Sequence, residues 1–174
     1  MILTVNQLEE IIPHLGYRRI ELLLPTFNVT CKKYDISNPY RVAHFLTQVL
    51  VESNFFRLIQ EPGSGAEYEG ILGNTERGDG RKYIGRGYIK ILGKRAYQEY
   101  QKVSNLDVVN YPHYATTPRV AMDIAGWVWS RLNLNEAADH DAIMAITQSL
   151  KGAYIHLRER EEVLKRVKKV IGIS

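Results

Sequence analysis

Apolar residues recur with helical spacing over most of this chain of 174 residues, and the pattern predicts a mainly α-helical protein. The strongest pattern in the first half begins at Pro39, which suits the first turn of a helix, with Ser37 or Asn38 as the cap. Five apolar side chains then mark one helix face: Val42, Phe45, Leu46, Val49 and Leu50. Weaker patterns predict helices at about 4–16, 18–31 (broken near Pro25), 88–103, 117–133, 139–150 and 156–170.

The sequence changes character between residues 62 and 87, where glycines are frequent. Two turns are expected there, at Gly63–Gly65 and at Asp79–Gly80. We interpret this segment as an irregular glycine-rich lobe or a small β-hairpin, too short to be a domain. No repeat, low-complexity tract or linker divides the rest, so we predict a single domain over residues 1–174.

Composition narrows the class of protein. With 45% hydrophobic and 24% charged residues, the chain is typical of a globular protein, and it has no apolar run of the length that spans a membrane. Glu9 and Glu10 interrupt the first apolar stretch and no basic leader precedes it, so we expect no cleaved signal peptide and synthesis in the cytoplasm. Cys31 is the one cysteine, which excludes an internal disulfide and favours a buried small side chain.

The net charge of +4 favours contact with an anionic partner. Much of the positive charge lies in residues 156–170, and two interpretations of it remain open. It is either the solvated face of a helix or a surface attracted to an anionic cell-envelope polymer. Nucleic acid is not an expected partner, because Glu159, Glu161 and Glu162 alternate with the basic residues and no aromatic patch accompanies them.

Two glutamates, Glu52 and Glu61, bracket the apolar segment 51–61 and are the first candidates for chemistry. Glu52 falls near the C-terminal end of the predicted helix, where desolvation and the helix dipole favour the protonated form. We therefore expect a raised pKa for Glu52, as a general acid needs. A continuous helix would hold the two acids on opposite faces about 13 Å apart, so cooperation requires the helix to end around Phe55 to Leu58. On spacing alone, two solvated acids are the simpler interpretation.

A more specific pattern, "GNTERGDGRKYIGRGYIKILGKRAYQEY", occupies residues 73–100. It resembles the central signature of the family 19 glycoside hydrolases, which include class I chitinases and short bacterial and phage endolysins. That signature is an acidic or glycine turn, then Tyr-x-Gly-Arg-Gly-x-Ile-Gln, then a closing Asn-Tyr. The matching positions are Gly78, Asp79, Gly80, Tyr83, Gly85, Arg86, Gly87, Ile89 and Tyr97.

Two flanking segments extend the resemblance to about residues 40–165. Residues 43–61 are similar to the helix end that carries the family's catalytic acid, which the short forms follow with a second glutamate nine residues later. The segment "AITQSLKG" is similar to the family's Thr-Gln-x-x-Asn-Gly, with Arg160 as the match of a nearby arginine.

The resemblance implies a lysozyme-like, two-lobed helical fold with a cleft for β-1,4-linked N-acetylated sugars. It assigns the general acid to Glu52 and the general base to Glu61 in an inverting mechanism that needs no metal or other cofactor. The implied substrate-binding residues are Tyr83, Arg86, Tyr88, Lys90, Gln148 and Lys151, with Gly85, Gly87 and Arg160 in support. We expect both tyrosines to present faces and hydroxyls to sugar rings, and Arg86 to pair with a carboxylate.

Four positions qualify this assignment. Lys90 replaces the family's Gln and is expected to lower the pKa of a nearby carboxyl group, and Lys151 replaces an Asn. Leu92 replaces a Ser or Thr whose hydroxyl helps to hold the attacking water. Glu69 is a third candidate acid, either the base in place of Glu61 or a charge of the loop.

The expected function is hydrolysis of peptidoglycan by a phage or prophage endolysin. Such a protein is monomeric, is made without a signal peptide, and reaches the cell wall after a separate protein permeabilises the membrane. Two alternatives remain open: a chitinase acting on chitin oligomers, and a protein of the same fold that binds glycan without cutting it. Leu92 and Lys151 favour the last alternative, because both depart from the family's pattern.

Overall fold

The computed structural model describes residues 3–174, which form nine α-helices, two short 3₁₀ helices and no regular β-strand. The α-helices are α1 (Val5–Ile11), α2 (Tyr17–Lys33), α3 (Pro39–Glu52), α4 (Asp79–Lys82), α5 (Gly93–Ser104), α6 (Pro118–Arg131), α7 (Leu134–Asp139), α8 (Ile143–Lys151) and α9 (Leu157–Ile171). The 3₁₀ helices are Ala66–Tyr68 and Pro112–Thr116. The mainly α-helical prediction is confirmed. Within residues 3–174, no helix has both the length and the apolar character needed to cross a membrane.

Helix α3 lies at the centre of the main core. Asn38 caps it by accepting a hydrogen bond from the Arg41 amide at 3.0 Å, and Pro39 opens its first turn, as predicted. All residues from 42 to 50 are buried, so neighbouring elements cover α3 on every side. Helices α7 and α9 pack against it, and α1, α2 and α6 complete the core.

Helix α2 continues through Pro25, so the predicted break there is wrong. Pro25 is exposed, and solvent can satisfy the carbonyl group that its ring leaves unbonded. On the other side of the helix, Leu23, Leu24 and Phe27 are buried in the core and stabilise it. Cys31 of the same helix is also buried, and burial raises the pKa of its thiol to about 12.

A second, smaller apolar cluster is separate from the main core, so the fold has two lobes, each with its own apolar cluster. Its members come from residues 83–91, α5, α6 and the connection between these helices: Tyr83, Ile91, Tyr97, Tyr100, Val108, Ala115, Ile124 and Trp127. Helix α6 contributes to both clusters, with Ile124 in the smaller one and Ala125 in the main core. One buried helix therefore connects the two lobes.

The glycine-rich lobe forms no regular hairpin. Its backbone pairs only through isolated antiparallel bridges, Gln60 with Arg86 and Arg86 with Ile91. The turn expected at Asp79–Gly80 is instead the start of α4, whereas Gly63 and Gly65 do turn the chain. A Cβ on Gly80 would lie 2.6 Å from the Gly65 carbonyl oxygen, so this close approach of two backbone segments requires glycine.

Gly126 allows α2 and α6 to pack closely, and we expect Gly126→Ala to destabilise the fold. An added Cβ would overlap the Tyr34 ring and lie 2.5 Å from Thr30 Cγ2. The free energy of unfolding should fall by about 1–3 kcal/mol, the usual cost of overpacking, as measured by urea denaturation. The control is Ser149→Ala on an exposed face of α8, which should change stability by less than about 0.5 kcal/mol. Equal stability of the two variants would contradict this contact.

Candidate active site

Helix α3 ends at Glu52, which is earlier than the predicted end around Phe55 to Leu58. Ser53 terminates it: its hydroxyl donates to the Val49 carbonyl at 2.6 Å and accepts from the Phe56 amide at 2.9 Å. Asn54, Phe55 and Phe56 then all have positive φ, between 46° and 65°. These three left-handed residues reverse the chain immediately after Glu52, so the two glutamates do not share a continuous helix.

Glu61 is held by the backbone of the glycine–arginine–glycine segment. Its amide donates to the Gly85 carbonyl at 2.9 Å, and the Gly85 amide donates to its Oε1 at 2.8 Å. The Tyr68 hydroxyl lies 3.4 Å from Oε2. A Cβ on Gly85 would lie 2.9 Å from Glu61 Cδ, so glycine at this position leaves the space that the carboxylate fills.

Glu52 is held by two cations that lie far away in the sequence. Arg160 donates from Nη2 to its Oε1 at 2.5 Å, and the Lys151 ammonium lies 3.1 Å from its Oε2. The exposed fractions of the side chains are 11% for Glu52, 1% for Arg160 and 32% for Lys151. Arg160 is therefore a permanent buried partner, and Lys151 is one that solvent or a ligand can reach.

The pKa of Glu52 corrects an expectation from the sequence. Burial by itself raises this pKa, as predicted for a desolvated carboxyl group. The hydrogen bond from Arg160 and the charge of Lys151 outweigh burial, so the pKa of Glu52 lies below its ordinary value. Without a ligand, Glu52 is consequently an ionised, paired carboxylate at neutral pH.

Arg160 also connects Glu52 to a polar stripe along α3. Its Nη1 donates to the side-chain oxygen of Gln48, one turn before Glu52, and its Nε donates to the Ile155 carbonyl at 3.1 Å. One turn earlier still, the buried His44 imidazole lies 2.7 Å from Asp141. His44 and Gln48 were not among the site residues predicted from the sequence. The signal that could have identified them is the four-residue spacing of His44, Gln48 and Glu52 within a largely apolar helix.

Lys90 lies next to Glu52, and the charges of both glutamates affect its pKa. Its ammonium group donates to the backbone carbonyl of Glu52 at 2.8 Å. Burial holds the pKa of Lys90 below its ordinary value; the charge of Lys151 acts in the same direction, and the charges of Glu52 and Glu61 oppose it. Lys90 was expected to lower the pKa of a nearby carboxyl group. At Glu52, Arg160 and Lys151 lower the pKa instead.

Two of the predicted substrate contacts, Tyr83 and Tyr88, have buried rings, contrary to the expectation that they present faces to sugar rings. Tyr83 and Tyr88 are each 1% exposed, so neither presents a ring face to solvent. The Tyr83 hydroxyl donates to the Val109 carbonyl at 3.0 Å, and Tyr88 packs edge-on against Phe56. Both rings belong to the motif, but Tyr83 packs in the smaller apolar cluster and Tyr88 in the main core.

Arg86 pairs with no carboxylate in the described chain. It donates to Gln60 Oε1 at 2.8 Å, to the Lys82 carbonyl at 2.8 Å and to the Tyr97 hydroxyl at 2.9 Å. Its role is to stabilise the loop that positions Gly85, and Arg160 has the role of carboxylate partner that was predicted for Arg86.

The other predicted residues lie around this centre or apart from it. Gln148 is exposed and donates to the Gly152 carbonyl at 3.0 Å. Gly87 has a φ of 112° and lies against Ile124, and Leu92 precedes α5 as its cap residue. Glu69 is exposed and accepts from the Gly78 amide at 3.1 Å, as expected of a loop charge. No group of three or more potential metal ligands occurs among residues 3–174.

Comparisons of the sequence and of the structure with known proteins identify relatives of this chain and its fold. No family model matches the chain. It is 31% identical over 87 residues to Endochitinase 4 of Solanum tuberosum and to Endochitinase B of Nicotiana tabacum. Each match covers 49% of this chain but only 29% and 27%, respectively, of those proteins, so the chain spans under a third of their length.

Solved structures of chitinases resemble the chain over nearly its whole length. Chitinase C from Streptomyces griseus HUT6037 superposes with a TM-score of 0.80 at 17% identity, covering 98% of this chain and 77% of that protein. A bacterial family 19 chitinase gives a TM-score of 0.82 at 16% identity, covering 100% of this chain and 97% of the other. The chain therefore has the helical fold of the family 19 chitinases, as its central motif implied.

Proposed function

We propose that this protein is a glycosidase that hydrolyses β-1,4 bonds between N-acetylated sugars, with Glu52 as general acid and Glu61 as general base. The observation that carries the proposal is a pair of glutamates that are held by hydrogen bonds in unlike environments. Glu52 lies among cations, and Glu61 accepts from a backbone amide. Support also comes from the likeness in fold to proteins described as chitinases.

The proposed reaction gives each carboxyl group one proton transfer. Glu52 donates a proton to the glycosidic oxygen as the bond from that oxygen to the anomeric carbon breaks. A water molecule attacks the anomeric carbon from the opposite face, and Glu61 accepts the proton that the water loses. Glu61 suits this role because no cation of the described chain lies within ion-pair distance of it, which leaves the carboxylate free to accept a proton.

Glu52 needs a proton before it can act, and its surroundings indicate how it gains one. Lys151 is the reachable member of the pair of cations, on a long and flexible side chain. A sugar that displaces the Lys151 ammonium removes one of the charges that keep Glu52 ionised. Burial then favours the protonated form more strongly. In this proposal the substrate itself prepares the acid.

Chitin and peptidoglycan both belong to the proposed substrate class. The likeness to chitinases favours chitin oligomers. The net charge of +4 favours peptidoglycan, whose surroundings in a cell envelope are anionic. A role as a phage or prophage endolysin, made in the cytoplasm and released onto the cell wall, is the finer form of the second proposal.

A second candidate function is glycan binding without hydrolysis. The ion pairs of Glu52 favour it, because a carboxylate held between Arg160 and Lys151 resists protonation. Leu92 adds to this case, since it offers no hydroxyl group to a water molecule.

Incubation with chitin oligomers and with purified peptidoglycan sacculi tests the main proposal. We expect new reducing ends from at least one substrate, with the first product in the inverted anomeric form. Glu52→Gln and Glu61→Gln should each lower the rate by about 100-fold or more, because each removes one proton transfer. The matched control is Glu69→Gln, which keeps an oxygen for the Gly78 amide and should leave the rate unchanged.

Several outcomes would contradict this assignment. Full activity of Glu52→Gln would remove the proposed acid, and loss of activity in Glu69→Gln with retention in Glu61→Gln would move the base to Glu69. Saturable glycan binding without new reducing ends would establish the binding function in place of hydrolysis.

Gly85→Ala should separate activity from stability. Gly85 does not need a positive φ, and the three atoms nearest to an added Cβ all belong to the Glu61 carboxyl group, the closest at 2.9 Å. We expect activity to fall by about 10- to 100-fold as Glu61 is displaced, with the free energy of unfolding changed by less than about 1 kcal/mol. Adding Gly85→Ala to Glu61→Gln should cause little further loss; additive losses in this double-mutant cycle would contradict displacement of Glu61.

Lys151→Gln should shift the pH dependence of hydrolysis. The variant lacks a charge that lowers the pKa of Glu52, so more of the acid is protonated at a given pH. We expect the alkaline limb of the kcat/KM profile to move to higher pH. Lys169→Gln, on an exposed part of α9, is the charge-matched control and should leave the profile in place. Equal profiles for both variants would show that Lys151 does not control Glu52.

The same ion pairs also make stability depend on pH. A carboxyl group with a lowered folded-state pKa stabilises the fold above its unfolded-state pKa, about 4.3 for Glu. This contribution is lost as the pH falls through the folded-state pKa. Lys151→Gln should therefore lose less stability on acidification than the parent protein, as measured by urea denaturation at neutral and acid pH.

A further inference from the structure

A pocket of about 410 Å³ lies beside the turn that follows Glu52. The loop after α1, the first turn of α2, residues 54–57 and α9 bound it. Three arginines line it, Arg19, Arg57 and Arg166, together with His14. These residues come from four separate parts of the chain, and the proposed glycosidase mechanism uses none of them.

The positive charge of this pocket is not compensated within the described chain. None of its lining residues is acidic, and none of the three arginines has a carboxylate oxygen within 4.0 Å among residues 3–174. Elsewhere, Arg41, Arg131 and Arg160 each form an ion pair with an acidic side chain. Guanidinium groups gathered without a counter-charge attract an external anion.

Two of the three arginines are positioned by backbone carbonyls. Arg19 donates from Nη2 to the Phe56 carbonyl at 2.6 Å, and Arg166 donates from Nη1 to the Ile11 carbonyl at 3.2 Å. Such bonds orient a guanidinium group without neutralising its charge, and they leave its other N–H groups available. Orientation in advance lowers the entropy that an anion would lose on binding.

One wall of the pocket is the strained turn described above. Asn54 and Phe55 line it, with φ of 46° and 55°, and Arg19 fixes the third left-handed residue, Phe56. Consecutive non-glycine residues in this conformation are costly and persist only where their surroundings hold them, often at functional sites. An anion in the pocket would therefore lie against the turn that follows Glu52.

We propose that this pocket binds a phosphate group. A phosphate offers up to two negative charges and several acceptor oxygens to guanidinium groups carried by separate elements, whereas a single carboxylate offers one charge in one plane. The volume leaves room for a substituent on the phosphate next to the apolar walls made by Ile12, Pro13 and Leu15. The proposal does not depend on glycan hydrolysis.

Calorimetric titration of the full chain with inorganic phosphate at low ionic strength tests the pocket. We expect saturable binding at one site, weakened about tenfold or more by Arg57→Gln and by Arg166→Gln, since each removes a charge-assisted hydrogen bond. Arg18→Gln is the matched control, because this exposed neighbour of Arg19 carries the same charge and does not line the pocket. Arg19 is left intact because it holds Phe56. Circular dichroism and urea unfolding verify that each variant is folded.

Further titrations distinguish the sources of the phosphate. Tighter, Arg57-dependent binding of glycerol 3-phosphate would support an organic phosphate monoester as the ligand, and tighter binding of inorganic phosphate would support a free anion. Three results would overturn the proposal: absence of saturable binding, an equal loss in Arg18→Gln, or binding of a dicarboxylate as tight as that of phosphate.

Discussion

The ion pair between Glu52 and Arg160 constrains the rest of the site. Arg160 is almost fully buried, and a guanidinium group removed from water needs a counter-charge and partners for its N–H groups. Glu52 supplies the charge, while Gln48 and the Ile155 carbonyl accept further hydrogen bonds. The candidate catalytic acid is thus also the counter-ion of a core residue. Removing one partner of such a pair typically costs about 3–5 kcal/mol, so stability and proposed chemistry depend on one side chain.

This constraint also accounts for the inward-facing charge of the C-terminal helix. Arg160, at the start of α9, binds Glu52, and Lys168, near its end, lies 2.5 Å from Asp141, which in turn contacts His44. Both contacts attach α9 to the polar stripe of α3. The basic C-terminal segment is therefore more than a solvated helix face, because two of its cations bind carboxylates outside α9. The stripe has a cost, since His44 Nδ1 and Gln48 Nε2 are buried without a hydrogen-bond partner in the described residues.

The parts of the fold that depend on local pattern could be predicted from the sequence. The apolar period of α3, its Asn38 cap and the helical class all follow from side chains a few residues apart. The continuation of α2 through Pro25 could not be predicted, because it depends on burial of the opposite helix face against α6. The burial of Tyr83 and Tyr88 is of the same kind: their place in the motif suggests ligand contact, whereas packing within the two apolar clusters decides their environment.

The two glutamates show the same distinction within the site. The environment of Glu61 is made by Gly85, 24 residues away, inside the segment that the motif identifies. The environment of Glu52 is made by Lys151 and Arg160, which lie 99 and 108 residues away. A motif therefore indicates where the acid lies, but its protonation state is set by side chains on α8 and α9. In a site built this way, substitutions remote in sequence can retune the acid while the glycine–arginine–glycine segment and the environment of Glu61 stay unchanged.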